Sequence, residues 1–218
     1  MATSEEIEAG QAIYSPMVLN LYDWFVLGLS NHFLWRCPTA RILALFERNL
    51  SANHLDIGVG TGYYLDRAHW PAPKPHITLL DLNPNSLAAA ARRIARFEPR
   101  PVLANCLEPF PLSGRFDSAS LCYLFHCLPG SIPKKAVVFD HLRPHLAPGA
   151  RIFGATIVKG NFKPSKPAEA LMTFYNRKGV FSNAKDTAQD LDAALRQRFC
   201  DVRLEINGTV ALFEARSS

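Results

Sequence analysis

The residues best placed to do chemistry stand in one run, His54-Leu55-Asp56-Ile57-Gly58-Val59-Gly60-Thr61-Gly62. A short apolar segment ends at a carboxylate and passes into glycines at alternate positions. Glycine tolerates positive φ and carries no Cβ, so such a turn lets the backbone approach a ligand closely. A dinucleotide site sets pyrophosphate against a helix N-terminus and needs no carboxylate ahead of the glycines. Asp56 in that place suits a cationic amino-acid group instead. Asp81 lies 25 residues further on, near the end of a second apolar run, Ile77–Leu82. An acidic residue there can accept both hydroxyls of an adenosine ribose. Further along, Tyr123, Phe125 and His126 follow another apolar run. Ligands of open α/β sheets gather at the carboxyl ends of strands, so these three should border the same pocket. The His126 imidazole, ordinarily titrating near pH 6.5, is a candidate general base, and a hydrogen-bonded structural histidine is the alternative reading.

The elements that must position these groups alternate along the chain. Residues 1–50 read as helical, with aromatic and aliphatic residues recurring from Ile13 to Trp35. A second helix begins at Pro38 and carries Ile42, Leu45, Phe46 and Asn49 near one face. Strand-like runs follow at His54–Val59, Ile77–Leu82, Pro101–Ala104, Phe116–Leu124 and Arg151–Val158. Helices are expected between them over Thr61–His69, from the Asn83-Pro84 start to about Phe97, and over Lys134–Leu146. Residues 159–184 read as irregular, with Pro164, Pro167 and glycines. Thr187–Phe199 has helical spacing. The alternation at Val202, Leu204 and Ile206, then Asn207-Gly208 and Val210–Glu214, predicts a hairpin. Alternating strands and helices imply parallel strands joined by right-handed crossovers. The fold class is therefore α/β: a Rossmann-like, seven-stranded, mostly parallel sheet with a C-terminal antiparallel hairpin and an N-terminal helical lid. The expected organisation is a single domain over 1–218, with a lid (1–50), a cofactor-binding core (51–158) and a substrate-side segment with the closing hairpin (159–218).

Composition narrows the function. The chain has 218 residues, 48% apolar and 20% charged, ordinary for a globular protein of one domain. Its net charge of +5 comes from scattered residues; Arg92, Arg93 and Arg96, or Lys134 and Lys135, make no run of the kind that binds nucleic acid. Five cysteines (Cys37, Cys106, Cys122, Cys127 and Cys200) at irregular spacing, with no C-x-x-C pair, read as reduced thiols of a cytoplasmic protein. The acidic start lacks a signal-peptide core, and Met17–Leu29 is too short and too polar to span a bilayer. No histidine or carboxylate cluster marks a metal site, so none is expected.

With Asp56, the glycines, Asp81 and this strand order together, the chain resembles the class I S-adenosylmethionine (SAM)-dependent methyltransferases. The motifs cover roughly residues 50–158. The resemblance implies that Asp56, Gly58, Gly60 and Gly62 hold the methionyl part of SAM and that Asp81 holds the ribose. Asn105 and Cys106 stand where the family usually has Gly-Asp. Asn105 replaces the common aspartate and can still accept a hydrogen bond from the adenine amine. Leu82 and Leu107 would flank the adenine ring, and Pro148-Gly149 matches the family's turn before the fifth strand. The Asn/Asp-Pro-Pro-aromatic motif of the nucleic-acid enzymes of this fold is absent after the fourth strand, which points to a small-molecule substrate and to neither nucleic acid nor membrane as partner.

The aromatic N-terminus should form the lid, with Tyr14 and Tyr22 touching the sulfonium through cation–π attraction and Trp24, Phe33 and Trp35 packing around them. Tyr123 and His126 would serve the acceptor. Tyr175 could orient it, or pack on the surface. The leading expectation is methyl transfer to oxygen or nitrogen of a small molecule, in specialised metabolism, by a monomer or homodimer, with S-adenosylhomocysteine as product. A SAM cyclase releasing azetidine-2-carboxylate and methylthioadenosine, and a non-catalytic SAM-binding regulator, are the alternatives.

Overall fold

The structure, a computed structural model, describes residues 34–159 and 166–218. Of the expected lid over residues 1–50, residues 1–33, with Tyr14, Tyr22, Trp24 and Phe33, lie outside them. The described part is a seven-stranded sheet flanked by helices. In chain order the elements are α1 (Thr39–Asn49), β1 (Asn53–Ile57), α2 (Tyr63–Arg67), β2 (His76–Asp81), α3 (Pro84–Arg93), β3 (Arg100–Leu103), β4 (Phe116–Cys122), α4 (Ile132–Lys135), α5 (Val137–Leu142), β5 (Leu146–Ile157), α6 (Lys166–Arg177), α7 (Ala188–Arg196), β6 (Cys200–Asn207) and β7 (Val210–Arg216). The strand order is β3-β2-β1-β4-β5-β7-β6. Strands β1 to β5 are parallel, and β7 runs antiparallel to both of its neighbours.

Both faces of the sheet are covered, which is why its central strands are nearly continuous apolar runs. Successive side chains point to opposite faces. On β7, Ala211, Phe213 and Ala215 join the core under α4, α5 and α7, whereas Val210 and Leu212 join the one under α1, α2 and α3. α1 buries Ile42, Leu45, Phe46 and Asn49, the face expected from its spacing. α3 starts at the expected cap: the Asn83 side chain accepts from the N–H of Asn85 at 2.9 Å and of Ser86 at 3.4 Å. Gly154 is required where β5 meets β4, because a Cβ there would fall 2.1 Å from the Leu121 carbonyl oxygen.

Several boundaries differ from expectation. The fourth strand stops at Cys122, because Tyr123 takes φ +56 and turns the chain. The helix expected over Lys134–Leu146 starts earlier, at Ile132, with Pro133 tolerated in the first turn. It is split into α4 and α5 and then tightens into a 3₁₀ turn at Arg143–His145, where Pro144 cannot donate to a continuing helix. Strand β5 consequently begins at Leu146, ahead of Pro148-Gly149. The stretch read as irregular contains α6, since Pro167 falls in its first turn and a run of good helix formers follows. The hairpin turn is Gly208-Thr209, with Asn207 paired to Val210 as the last strand residue. Gly208 has φ +61, and any Cβ there would strike the Trp35 carbonyl at 2.1 Å. No helix among the described residues is long and apolar enough to cross a membrane.

Candidate active site

The strand order reverses between β1 and β4, and a pocket opens at the carboxyl ends of the strands there, where the fold rule expects a ligand. Its floor is the glycine turn after β1. Gly58 has φ +76 and donates its N–H to the Leu80 carbonyl at 2.9 Å, tying the turn to β2. Gly62 has φ +72 and caps α2, and a Cβ there would sit 3.0 Å from the Ala90 Cα. Both glycines are therefore required by conformation, Gly62 also by the close approach of α3.

Two carboxylates line the pocket. Asp56 is the penultimate residue of β1, paired with Ser120 of β4, and its Oδ1 accepts from the Ser120 hydroxyl. Burial pushes the Asp56 carboxyl up to about 7, against the Ser120 hydrogen bond and with help from the charge of Asp81. Asp81 ends β2. Its Oδ2 accepts the Val59 N–H at 2.9 Å and its Oδ1 the Asn83 N–H at 2.8 Å. Burial raises Asp81 too, while these backbone donors hold it back. The acidic side chain thus pins the glycine turn and the start of α3 to one point.

The remaining wall on this side is formed by Leu82, Asn105, Cys106 and Leu107. The Asn105 side chain closes its own turn: Oδ1 accepts from the Leu107 N–H at 3.0 Å and Nδ2 donates to Glu108 at 3.2 Å. Across the pocket stand Tyr123, Leu124, Cys127 and Leu128. Tyr123 donates its backbone N–H to the Ala155 carbonyl at 2.6 Å, which holds the φ +56 bend in place. Burial raises the Cys106 thiol to about 12 and the Cys122 thiol well above its usual range, so both are neutral packing groups.

The structure brings together Asp56, the three glycines, Asp81, Leu82, Asn105, Cys106, Leu107 and Tyr123 around one pocket. It does not bring His126 or Tyr175 to the described wall. A 3₁₀ turn at Phe125–Cys127 carries the His126 ring inward, leaving the residue 4% exposed. The ring meets Phe181 edge-on at 4.6 Å and Tyr123 at 5.6 Å, and the His126 N–H donates to Thr156 Oγ1 at 3.1 Å. Burial, with some help from the Lys135 charge, lowers its pKa to about 3. That suits the structural reading of His126 rather than a base bordering the pocket. Tyr175 packs on Phe181 at 4.9 Å on the outer side of the same cluster, and Trp35 reaches Phe181 at 6.2 Å. Sequence reasoning missed Tyr64, Thr61 and Leu128, which also line the pocket, and Ser120 behind Asp56. Only the β1–β4 register, Asp56 opposite Ser120, identifies the last. Among the described residues no three or more His, Cys, Asp or Glu side chains are grouped so as to hold a metal ion.

A family described as a methyltransferase domain matches residues 55–152. The chain is 40% identical over 212 residues to demethylluteothin O-methyltransferase of Streptomyces thioluteus, covering 97% of this chain and 92% of that one. It is 39% identical over 211 residues to the physcion biosynthesis cluster O-methyltransferase of Aspergillus chevalieri, covering 95% of each. The N-methyltransferase NodS of Bradyrhizobium japonicum, solved with S-adenosylhomocysteine, shares the fold at a TM-score of 0.58 and 15% identity over 82% of this chain and 87% of its own. The chain belongs to the class I SAM-dependent methyltransferase family. It is an enzyme that uses SAM as its methyl donor.

Proposed function

We propose that this enzyme methylates an oxygen of a small molecule made in specialised metabolism. The observation that carries the reading is the meeting of Asp56 and Asp81 at opposite sides of the glycine turn, combined with near full-length similarity to two O-methyltransferases. The pocket fits SAM by the chemistry of its donors and acceptors. Asp56 would take the α-ammonium, since its Oδ1 is satisfied by Ser120 and no hydrogen bond within the described residues engages Oδ2. Asp81, which lines the pocket and already accepts the Val59 and Asn83 N–H groups, would take the ribose hydroxyls. Leu82 and Leu107 would flank the adenine, with Asn105 and Cys106 at its edge. Gly58, Gly60 and Gly62 leave room for the methionyl chain.

When bound, SAM supplies a methyl group on a cationic sulfur, an electrophile that needs no metal-bound or acid-activated partner. The chain's own contribution is alignment and exclusion of water, the requirements of an in-line displacement. Tyr123, fixed by its strained bend, and Leu128 form the wall where the acceptor would lie. Tyr14 and Tyr22 are the residues proposed to close over the sulfonium, and Tyr175 the residue proposed to brace the acceptor wall through Phe181. His126 supports that wall from behind.

Incubation with methyl-labelled SAM and a panel of phenolic, carboxylic and amine acceptors tests the reading. The expected products are S-adenosylhomocysteine and a labelled methyl ether or ester, with SAM stable when no acceptor is added. Label on amines alone would move the acceptor atom to nitrogen. Methylthioadenosine and a four-carbon cyclic amino acid from SAM alone would replace transfer with intramolecular cyclisation. Tight binding with no acceptor turned over would favour a regulator.

A further inference from the structure

An unbroken line of polar contacts runs from Asp56 across the paired ends of β1 and β4. Ser120 meets Asp56 Oδ1. His54 Nε2 lies 2.8 Å from Ser120 Oγ, and its Nδ1 lies 2.7 Å from Ser118 Oγ. Ser118 Oγ is 2.7 Å from Ser51 Oγ, and the Ser51 hydroxyl reaches the Asn53 carbonyl at 2.8 Å. The register explains the line. His54 pairs with Ser118 and Asp56 with Ser120, and residues two apart share a face of the sheet. His54, Ser118 and Ser120 are fully buried, whereas Ser51 is partly exposed. The rings of Trp70, at 5.7 Å, and Phe153, at 5.8 Å, enclose the imidazole.

Each contact needs one proton. With Asp56 protonated, every contact has one, and all point the same way: Asp56 to Ser120, Ser120 to Nε2, Nδ1–H to Ser118, Ser118 to Ser51, and Ser51 to the Asn53 carbonyl. With Asp56 ionised there is one proton fewer than there are contacts. The carboxylate then requires the Ser120 proton, Ser120 requires one from Nε2–H, and Ser118 must donate to Nδ1. A neutral imidazole has one donor and one acceptor, so its tautomer must differ between the two states.

We propose that Ser51, Ser118, His54 and Ser120 form a proton relay to Asp56, in which His54 exchanges its tautomer as Asp56 ionises, so that binding of the cofactor ammonium at Asp56 releases one proton at Ser51. The inference rests on the reading that Asp56 meets that ammonium. The balance is closed. The Asp56 O–H bond breaks as an O–H bond forms on Ser120. The former Ser120 proton passes to Nε2, the Nδ1 proton to Ser118, the Ser118 proton to Ser51, and the Ser51 proton to water. Asp56 alone ends with one proton fewer, and no intermediate group stays charged.

The electrostatics agree with this geometry. Burial places Asp56 at about 7, so it exchanges its proton in the working range, and His54 at about 3, so the ring stays neutral throughout. The described groups facing this line are few. Asp81 on β2 adds to the rise at Asp56, and the Cys122 thiol on β4 is neutral. Tyr64 of α2 lines the same pocket, and Arg151 on β5, opposite Ser118, is turned to the Leu50 carbonyl at 3.5 Å.

Ring-¹⁵N NMR of the intact protein reads the tautomer directly, with His54 assigned by the signals missing from His54→Gln. In the free protein the expected result is Nδ1–H below the Asp56 titration and Nε2–H above it. With saturating S-adenosylhomocysteine the Nε2–H form should persist about a full pH unit lower, and affinity should fall about tenfold per pH unit below the titration. In Ser120→Ala the tautomer should stop following pH while the ligand still binds. An unchanging tautomer in wild type that still binds ligand through Asp56 would overturn the relay and leave the cofactor contact standing. Switching that persists in Ser120→Ala would overturn the route. Undiminished binding by Asp56→Asn would remove the contact reading and the inference with it.

Discussion

The two sides of the pocket are held by different kinds of contact. On the cofactor side, the glycine turn, Asp81 and Asn83 are joined by main-chain N–H groups donating to a neighbouring carbonyl and carboxylate, all between Gly58 and Asn83. On the acceptor side, the turn after β4 is held by residues roughly fifty positions away. Ser182 N–H donates to the His126 carbonyl at 2.8 Å, Ile132 N–H donates to Asp186 at 3.1 Å, and Phe181 fills the space between His126 and Tyr175. A fully buried Lys135–Asp186 ion pair locks α4 to that segment, with Lys135 also donating to the Ser182 carbonyl at 2.7 Å. On the proposed reading of the site, the difference implies that affinity for the cofactor and integrity of the acceptor wall rest on separable groups. Changes on the first side should show in binding, and changes on the second in stability.

The largest expected effect comes from breaking the ion pair. Lys135→Met leaves the Asp186 carboxylate buried without its counter-charge, a change that costs about 3–5 kcal/mol in such settings. Urea denaturation should show that loss, and Lys135→Met combined with Asp186→Asn should recover part of it. A single variant as stable as wild type would mean that the wall does not depend on the pair, and the comparison would fail.

Next comes Asp81→Ala, which removes the acceptor of the Val59 and Asn83 N–H groups together with the proposed ribose contact. Hydrogen bonds to charged groups are each worth about 1.5–3 kcal/mol. Titration calorimetry should show S-adenosylhomocysteine binding weakened about 100-fold or more. Because Asp81 lines the open pocket, water can replace it as acceptor for the freed N–H groups, so the melting temperature should fall by less than in Lys135→Met, where Asp186 is shut away from solvent. A variant that loses its fold before its affinity would reverse the assignment of the two sides.

The smallest effect sharpens the role of His126. Its folded pKa of about 3 lies below the ordinary value of about 6.5 for an unfolded chain. Below the ordinary value the unfolded chain takes up a proton that the folded one refuses. The stability due to the neutral ring is therefore complete above about pH 6.5 and is lost as pH falls toward 3, at about 1.4 kcal/mol per pH unit. His54, also lowered to about 3, behaves alike, while Asp56, raised to about 7, acts in the opposite sense. Comparison with His126→Phe isolates one residue. The wild-type stability should drop more steeply between about pH 6 and pH 4, by one proton's slope, and methylation near neutral pH should stay within a few-fold. A folded variant with methylation lowered by orders of magnitude would place the imidazole at the acceptor after all.

The cofactor side was legible in the sequence because its logic is local. Asp56 and the glycines are nearly consecutive, Asp81 ends the next apolar run, and Asn83-Pro84 marks the start of α3 within a few residues. The face of α1 was legible for the same reason, since helical spacing alone puts Ile42, Leu45, Phe46 and Asn49 together. The acceptor side was not. His126 read as a pocket residue because strand ends carry ligands, yet a 3₁₀ turn and the ring of Phe181, 55 positions away, carry it inward. Helix α6 was hidden by Pro167, which falls in its first turn and marks its beginning rather than its absence.

What the sequence by itself determined is the alternation of strands and helices and the glycine turn with its two acidic partners. Those follow from backbone sterics and side-chain period, which act over a few residues. Tertiary structure alone decided that β7 enters between β5 and β6, that Lys135 finds Asp186, and that Ser118 and Ser120 stand opposite His54 and Asp56. Each of these depends on which strands and segments become neighbours. A sheet brings together residues more than sixty positions apart at hydrogen-bonding distance, and no local pattern carries that information.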